Sequence, residues 1–274
     1  FYDKVGWQIV EDGNYQNARY EDLRPVARSY IHRCHLRVNR HLPTQGALLL
    51  DAGSGPVQYP EYLTYSQNYT YRVCADISIV ALMEARKRLG DKGLYVVTDV
   101  ANLPFKKEAF DGMVSLHTLH HLPQTEQKKA YREFYRALKN NASGVIVNGW
   151  TESLLMRRLN WMVHGMESLG QLWGRLRGRK LAVKKDSNDK NADPTGTYIQ
   201  KLDADSLGAD LNQAGIKFDI RVWRSVNVRF LRAVFHDVLG GRMWLNLLYW
   251  LEERFPHYLG RVGQYPMVII YKKQ

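Results

Sequence analysis

The chain has 274 residues, of which 45% are hydrophobic and 24% charged, with 39 Lys and Arg against 27 Asp and Glu for a formal net charge of +12. That length and apolar share exclude a disordered chain and suit one large core, or a core with a cap. The basic excess favours anionic partners, whether nucleic acid, lipid headgroups or acidic small molecules, and with Cys34 and Cys74 the only cysteines, a disulfide scaffold and a three-cysteine radical cluster are both excluded.

The chain opens on Phe1, not Met, so a trimmed chain is expected. No signal-peptide pattern stands at its start, and the most apolar window, Met243 to Leu251, falls short of the roughly 20 residues a membrane span needs. With two distant cysteines, we expect a cytoplasmic protein, soluble or peripheral at a membrane.

Residues 1–45 are rich in Tyr, Arg and His, and Pro25 is placed to open a helix through Ile31, Leu36 and Val38 after the acids Glu21 and Asp22. The His32-x-Cys34-His35 cluster looks metal-like, but neighbouring helix positions face apart and no second cluster has zinc spacing, so no metal is expected. Next comes Ala47-Leu48-Leu49-Leu50-Asp51-Ala52-Gly53-Ser54-Gly55-Pro56, an apolar run ending in Asp-x-Gly-x-Gly. This reads as a buried strand delivering a tight glycine turn that lets backbone approach a ligand.

Residues 71–76 form a second short strand ending in Asp76, twenty-one positions after Gly55, where a carboxylate can accept from both hydroxyls of a ribose. Ile79, Val80, Leu82, Met83, Ala85 and Leu89 make an apolar helical face, followed by a strand over 94–97 that ends at Thr98-Asp99. A fourth strand, 112–116, runs into His117-Thr118-Leu119-His120-His121-Leu122-Pro123. Four strands therefore end in polar groups on one edge of a parallel sheet. A helix over 125–138 and a fifth strand over 144–148 follow.

Leu155, Leu159, Met162, Met166, Leu169, Trp173 and Leu176 recur at spacings of 4 and 3 and share one helix face. Between 154 and 185, Arg157, Arg158, Arg175, Arg177, Arg179, Lys180, Lys184 and Lys185 face the single acid Glu167. The helix either covers the ligand edge of the sheet, lies on an anionic membrane surface, pairs as a coiled coil, or contacts an RNA backbone. Residues 184–197 have loop composition, 203–214 read as a helix capped by Asp203 or Asp205, and strands are expected over 216–223 and 267–271.

In its first motif, its acidic strand ends and its Leu119-His120-His121-Leu122-Pro123 run, the chain resembles the class I S-adenosylmethionine-dependent methyltransferases, in particular the group acting on quinones and other small molecules. The resemblance covers residues 46–150. It implies an α/β fold with a Rossmann-like, doubly wound, seven-stranded and mostly parallel sheet whose last strand is antiparallel, with helical cap insertions. It also implies S-adenosylmethionine as cofactor and S-adenosylhomocysteine as product. Carried over by position, Asp51, Ala52, Gly53, Ser54 and Gly55 pack against the methionine portion, Asp76 with Ile77 holds the ribose, Asp99 with Val100 borders the adenine, and His117 and Thr118 meet the cofactor. The family's first motif commonly has a third glycine where this chain has Val57.

The domain expectation is a helical lid over 1–45, the cofactor-binding core over 46–150, a basic amphipathic insertion over 151–200, and the end of the sheet over 201–274 with a helical insertion at about 228–262. Tyr15, Tyr20 and Arg24 are candidate lid residues at the acceptor, and His120 and His121 candidate general bases. A dinucleotide site is disfavoured because Gln58 stands where Gly-x-Gly-x-x-Gly requires glycine, and no phosphate loop is present. The absence of an Asn/Asp-Pro-Pro-Tyr/Phe motif and of a Pro-Cys pair disfavours two routes of base methylation. The expected activity is methyl transfer to a small, apolar or lipid-like acceptor. RNA methylation, or a methyltransferase fold that has lost catalysis and serves as a binding subunit, are the alternatives.

Overall fold

The structure, a computed structural model, describes residues 21–176 and 200–272. Tyr15, Tyr20, the 184–197 segment and the basic positions Arg177, Arg179, Lys180, Lys184 and Lys185 lie outside the described residues.

Helix α1 (Pro25–Leu36) starts with proline at its first position, where the missing amide costs nothing. It leads to β1 (Gly46–Ala52), the short helix α2 (Pro60–Leu63) and β2 (Tyr69–Asp76). Helix α3 (Ile79–Leu89) is capped by the Ser78 side chain, which accepts from the amide of Ala81. Strand β3 (Gly93–Val97), β4 (Phe110–Leu116), α4 (Gln124–Ala137) and β5 (Leu138–Val147) complete the first half. Beyond it lie α5 (Leu154–Leu176), α6 (Ala204–Gln213) capped by Asp203, and β6 (Lys217–Arg224). Then come α7 (Val228–Val234), α8 (Gly241–Arg254), α9 (Pro256–Val262) and β7 (Tyr265–Tyr271).

The strands form one sheet in the order β3-β2-β1-β4-β5-β7-β6. Every pairing is parallel except those of β7, which runs antiparallel to β5 and β6. This is the doubly wound sheet with an antiparallel last strand that the sequence predicts. The strand order reverses between β1 and β4, so the crevice for a ligand opens at the carboxyl ends of those two strands.

Alternation along the strands builds a core on each side of the sheet. Leu50, Ala52, Val73, Met113 and Ile146 pack on one face beneath α4 and α6, while Leu49, Cys74, Val114, Val145 and Ile269 pack on the other. A third cluster joins α1, α5, α7 and α8 through Ile31, Val163, Phe230, Leu231 and Leu245. Helix α5 runs unbroken through Gly165 and Gly170, and its main packing partner is α7 in this cap, not the sheet edge. Its first half supplies Leu155, Leu159 and Met162 to the cap, whereas Leu169 and Trp173 farther along the same stripe are exposed.

Below the end of β1, Asp51 and Arg72 lie on adjacent strands two register positions apart and are both buried. Arg72 donates through Nε at 3.0 Å and through Nη2 at 2.5 Å to one Asp51 oxygen, and its Nη1 reaches the carbonyl of Tyr62 at 2.5 Å. Burial pushes the Asp51 carboxyl up and Arg72 opposes that shift. Arg72→Met strands the Asp51 charge in the core and should cost about 3–5 kcal/mol in urea denaturation. The pair Asp51→Leu/Arg72→Met should recover most of that loss.

Candidate active site at the carboxyl edge of the sheet

The turn after β1 is tied to its neighbours on both sides. Gly53 donates to the carbonyl of Ala75 at 2.7 Å, and Gly55 donates to Asp76 Oδ2 at 2.8 Å. From β4, Thr118 Oγ1 donates to the carbonyl of Gly53 at 3.1 Å. Gly53 has φ +72°, and a Cβ there would sit 2.2 Å from Thr118 Cγ2, so the turn and the β4 end close only over glycine. Val57, at the position of the family's third glycine, also takes a left-handed φ of +52° and is fully buried. A β-branched residue in that region stores about 1–3 kcal/mol of strain, held here by packing with Tyr62, Leu82 and Trp223 in the core.

Asp76 is the hub of the edge. One carboxylate oxygen accepts from Gly55 and the other from Ser78 at 2.9 Å. A carboxylate has about four lone-pair positions, so Asp76 keeps acceptor capacity to offer a diol. Burial raises the Asp76 carboxyl, and the backbone amides of Ser78, Gly55 and Ile77 counter it. Beside it Ile77 is 65% exposed, an apolar surface at a polar rim. At the end of β3, Asp99 accepts from the amide of Ala101 at 2.9 Å and from Asn102 Nδ2 at 2.7 Å, while Val100 is buried in the core. Ala52 is buried beneath the turn, and Ser54 Oγ donates to the carbonyl of Gly55.

His117 follows β4 in the left-handed region with φ +57°, its amide bonded to the carbonyl of Val147. That backbone turns the imidazole edge-on to Trp223 at 4.9 Å and to Tyr265 at 5.6 Å, which come from the ends of β6 and β7. On the far side of Trp223, His35 of α1 stacks at 5.5 Å and contacts Tyr59. These rings form one aromatic wall beside the glycine turn, with His117, Tyr59 and Tyr265 half-buried and Trp223 buried. Burial, with His120 and Arg224 nearby, brings the His117 imidazole down to about 3.

His120 lies 3.3 Å from Asn148 Oδ1, with the His121 ring 4.1 Å away. Burial and His121 bring His120 down to about 3, so it is neutral at physiological pH. Arg24 bonds Asp22 and the carbonyls of Leu231 and Arg232, which ties the N-terminal segment to α7.

Sequence reasoning missed the charged backing of the wall. His35 presents Nε2 to Glu21 at 3.6 Å and Nδ1 to Glu61 at 3.4 Å, and Glu21 also receives Nη1 of the buried Arg224. Burial opposes ionisation of Glu21, but Arg224 and His35 outweigh it and hold the carboxyl at about 2. Burial likewise works against a charged His35, and its bonds to Glu21 and Glu61 raise it on balance. The signal available was Trp223-Arg224 at the end of a predicted strand on the ligand edge. His35 was visible too, but within a cluster that resembled a metal site.

Comparison with known proteins adds the following. Residues 50–146 match a family model described as a methyltransferase domain. A tRNA (carboxymethyluridine(34)-5-O)-methyltransferase of Arabidopsis thaliana is 28% identical over 144 residues, covering 46% of this chain and 33% of that protein. The chain thus spans about a third of the length of the curated relative it matches. Among solved structures, the YcgJ protein of Bacillus subtilis superposes with a TM-score of 0.52 at 14% identity, over 89% of this chain and 99% of that one. Phosphoethanolamine N-methyltransferase 2 of Haemonchus contortus, solved with phosphomonomethylethanolamine and S-adenosylhomocysteine, gives 0.52 at 16% identity over 88% and 53%. At these identities the structural likenesses establish the fold.

The titration of the edge is testable in the folded protein. His117 and His120 have folded values well below 6.5, so as pH falls below 6.5 the unfolded chain takes up protons that the native chain refuses, and stability drops. His35 is raised and acts in the opposite sense, stabilising below its unfolded value, while Glu21 and Glu61 contribute losses only below about 4.5. His120→Gln should therefore flatten the pH dependence between pH 6.5 and 4.5, by up to about 1.4 kcal/mol per pH unit. Urea denaturation at several pH values reads this directly.

Proposed function

We propose that the chain, whose residues 50–146 match a methyltransferase-domain model, transfers a methyl group from S-adenosylmethionine to a small, apolar or lipid-like acceptor held against the aromatic wall. The donor set fits that cofactor: a glycine cradle whose space a Cβ would fill, a carboxylate with lone pairs left for a ribose, and no side-chain cation in the turn between Gly53 and Val57 to neutralise a phosphate. In this assignment Gly53 and Gly55 face the methionine portion, Asp76 and Ile77 the ribose, Asp99 and Val100 border the adenine, and His117 and Thr118 line the reacting end. When bound, S-adenosylmethionine supplies a methyl already activated on a sulfonium.

The protein's contribution is then orientation and exclusion of water. His117 and Tyr265, at the edge of β4 and β7 beside the turn after β1, present ring surface to a planar or apolar acceptor, with the buried Trp223 of β6 packed behind them. With His117 and His120 held near 3, the site is matched to an acceptor atom that arrives as a phenolate or stabilised carbanion and needs no strong base. A neutral His120 serves such an acceptor by donating an imidazole N–H to its anionic oxygen.

One observation favours RNA as a second acceptor class: the relative that acts on tRNA. Purified protein incubated with methyl-labelled S-adenosylmethionine and either quinone and lipid extracts or total tRNA separates the two. The expected result is label in the organic phase, with Tyr265→Ala raising the acceptor KM and leaving the cofactor KM within about twofold. Label in tRNA that is lost steeply as salt rises would overturn the lipid-like acceptor.

A further inference from the structure

Helix α8 is apolar on two opposite sides. Its inner side, with Leu245 buried, packs on α1, whereas its outer side carries Met243, Leu247 and Trp250 at spacings of 4 and 3 with Trp244 alongside. These four side chains are 62%, 44%, 57% and 50% exposed. The turn that leads into the helix adds Val238, 91% exposed. Single exposed apolar residues are ordinary, but a continuous stripe of this size marks a surface that is covered in use.

We propose that this outer face of α8 docks the protein on an anionic lipid surface. The composition fits an interface: two tryptophans, each an apolar body with a polar N–H, within a stripe of aliphatic side chains. The charges fit as well. Arg242 stands at the start of the helix and Arg254 closes the stripe four residues after Trp250, its guanidinium 5.4 Å over the Phe255 ring. Arg33 and Arg40 of the neighbouring segment flank the helix through Asn246 and Glu253. Asp237 and Glu253 are the exposed acids here, and both are engaged by arginines. A second copy of the chain is the poorer occupant, because a symmetric contact over this face would bring together two bodies of net charge +12 with their arginine ends apposed. Among the described residues no helix is long and apolar enough to cross a membrane, so the contact is one of lying on the surface.

The inference does not depend on methyl transfer, and S-adenosylhomocysteine binding keeps the two apart. The experiment is flotation of the full chain with phosphatidylcholine vesicles, with and without phosphatidylglycerol, at low and high salt. Wild type should float with the anionic vesicles at low salt and fail to float with phosphatidylcholine alone. Trp244→Ser/Trp250→Ser should lower the anionic-vesicle partition at least about tenfold, since full burial of a large apolar side chain is worth more than one factor of ten. Its melting temperature and S-adenosylhomocysteine binding should stay at wild-type values, because both residues are on the surface. Failure of wild type to float on anionic vesicles, or equal flotation of the variant, overturns the proposal. A wild-type dimer in sedimentation velocity that the double substitution dissolves also overturns it, assigning the face to a second copy.

Discussion

The carboxylate of Asp76 holds the ligand edge together by accepting the amide of Gly55 on one oxygen and the amide of Ser78 on the other. One side chain thereby fixes both the turn after β1 and the start of α3, across the point where two parallel strands end. The turn has no freedom left on its other side, where Thr118 fills the space a Cβ of Gly53 would need. Two glycines are consequences of this closure, and so is the cost of placing Val57 in a left-handed conformation beside it. A ligand that meets this edge finds amides, carboxylate and glycine surface already in position, which lowers the ordering cost of binding.

Behind the aromatic wall lies an unusual amount of buried charge. Glu21, His35 and Arg224 are all buried and ion-paired in series, and Arg37 with Glu252 forms a second buried pair 2.8 Å apart. Buried pairs add little net stability against an apolar alternative, but removing one member leaves an uncompensated charge. Their effect here is to lock α1, the end of β6 and α8 in one register: Tyr30 and Ser225 both donate to Glu252. The wall that faces the acceptor therefore rests on a rigid polar frame that also supports the docking helix.

The sheet was legible in the sequence because parallel strands buried on both faces read as short apolar runs, and each run here ends in a polar signal: Asp51, Asp76, Asp99, His117. The structure extends those runs, most at β5, which begins at Leu138 where the sequence suggests 144. Lys139, Asn140 and Asn141 carry no β signature and fall in the register shift between the Phe110–Leu138 and Gly112–Ser143 partners, with Asn141 at φ +63° and its amide bonded to the carbonyl of Lys272. The acceptor wall was not legible, because Tyr59, Trp223 and Tyr265 lie far apart in the chain and meet only through the strand order. Arg72 was equally silent: nothing in a strand marks an arginine as buried until the adjacent strand brings Asp51, two register positions along, within reach of its guanidinium. The outer stripe of α8 was hidden within a run read only for its length.

Titration calorimetry of S-adenosylhomocysteine into the full chain, wild type and Asp76→Ala, tests the central claim most directly. A micromolar Kd that the substitution weakens at least about tenfold, or about 1.4 kcal/mol, in a protein that stays folded by circular dichroism, is the predicted result. No binding to folded wild type, or binding that Asp76→Ala leaves unchanged, would contradict the assignment of this edge as the cofactor site.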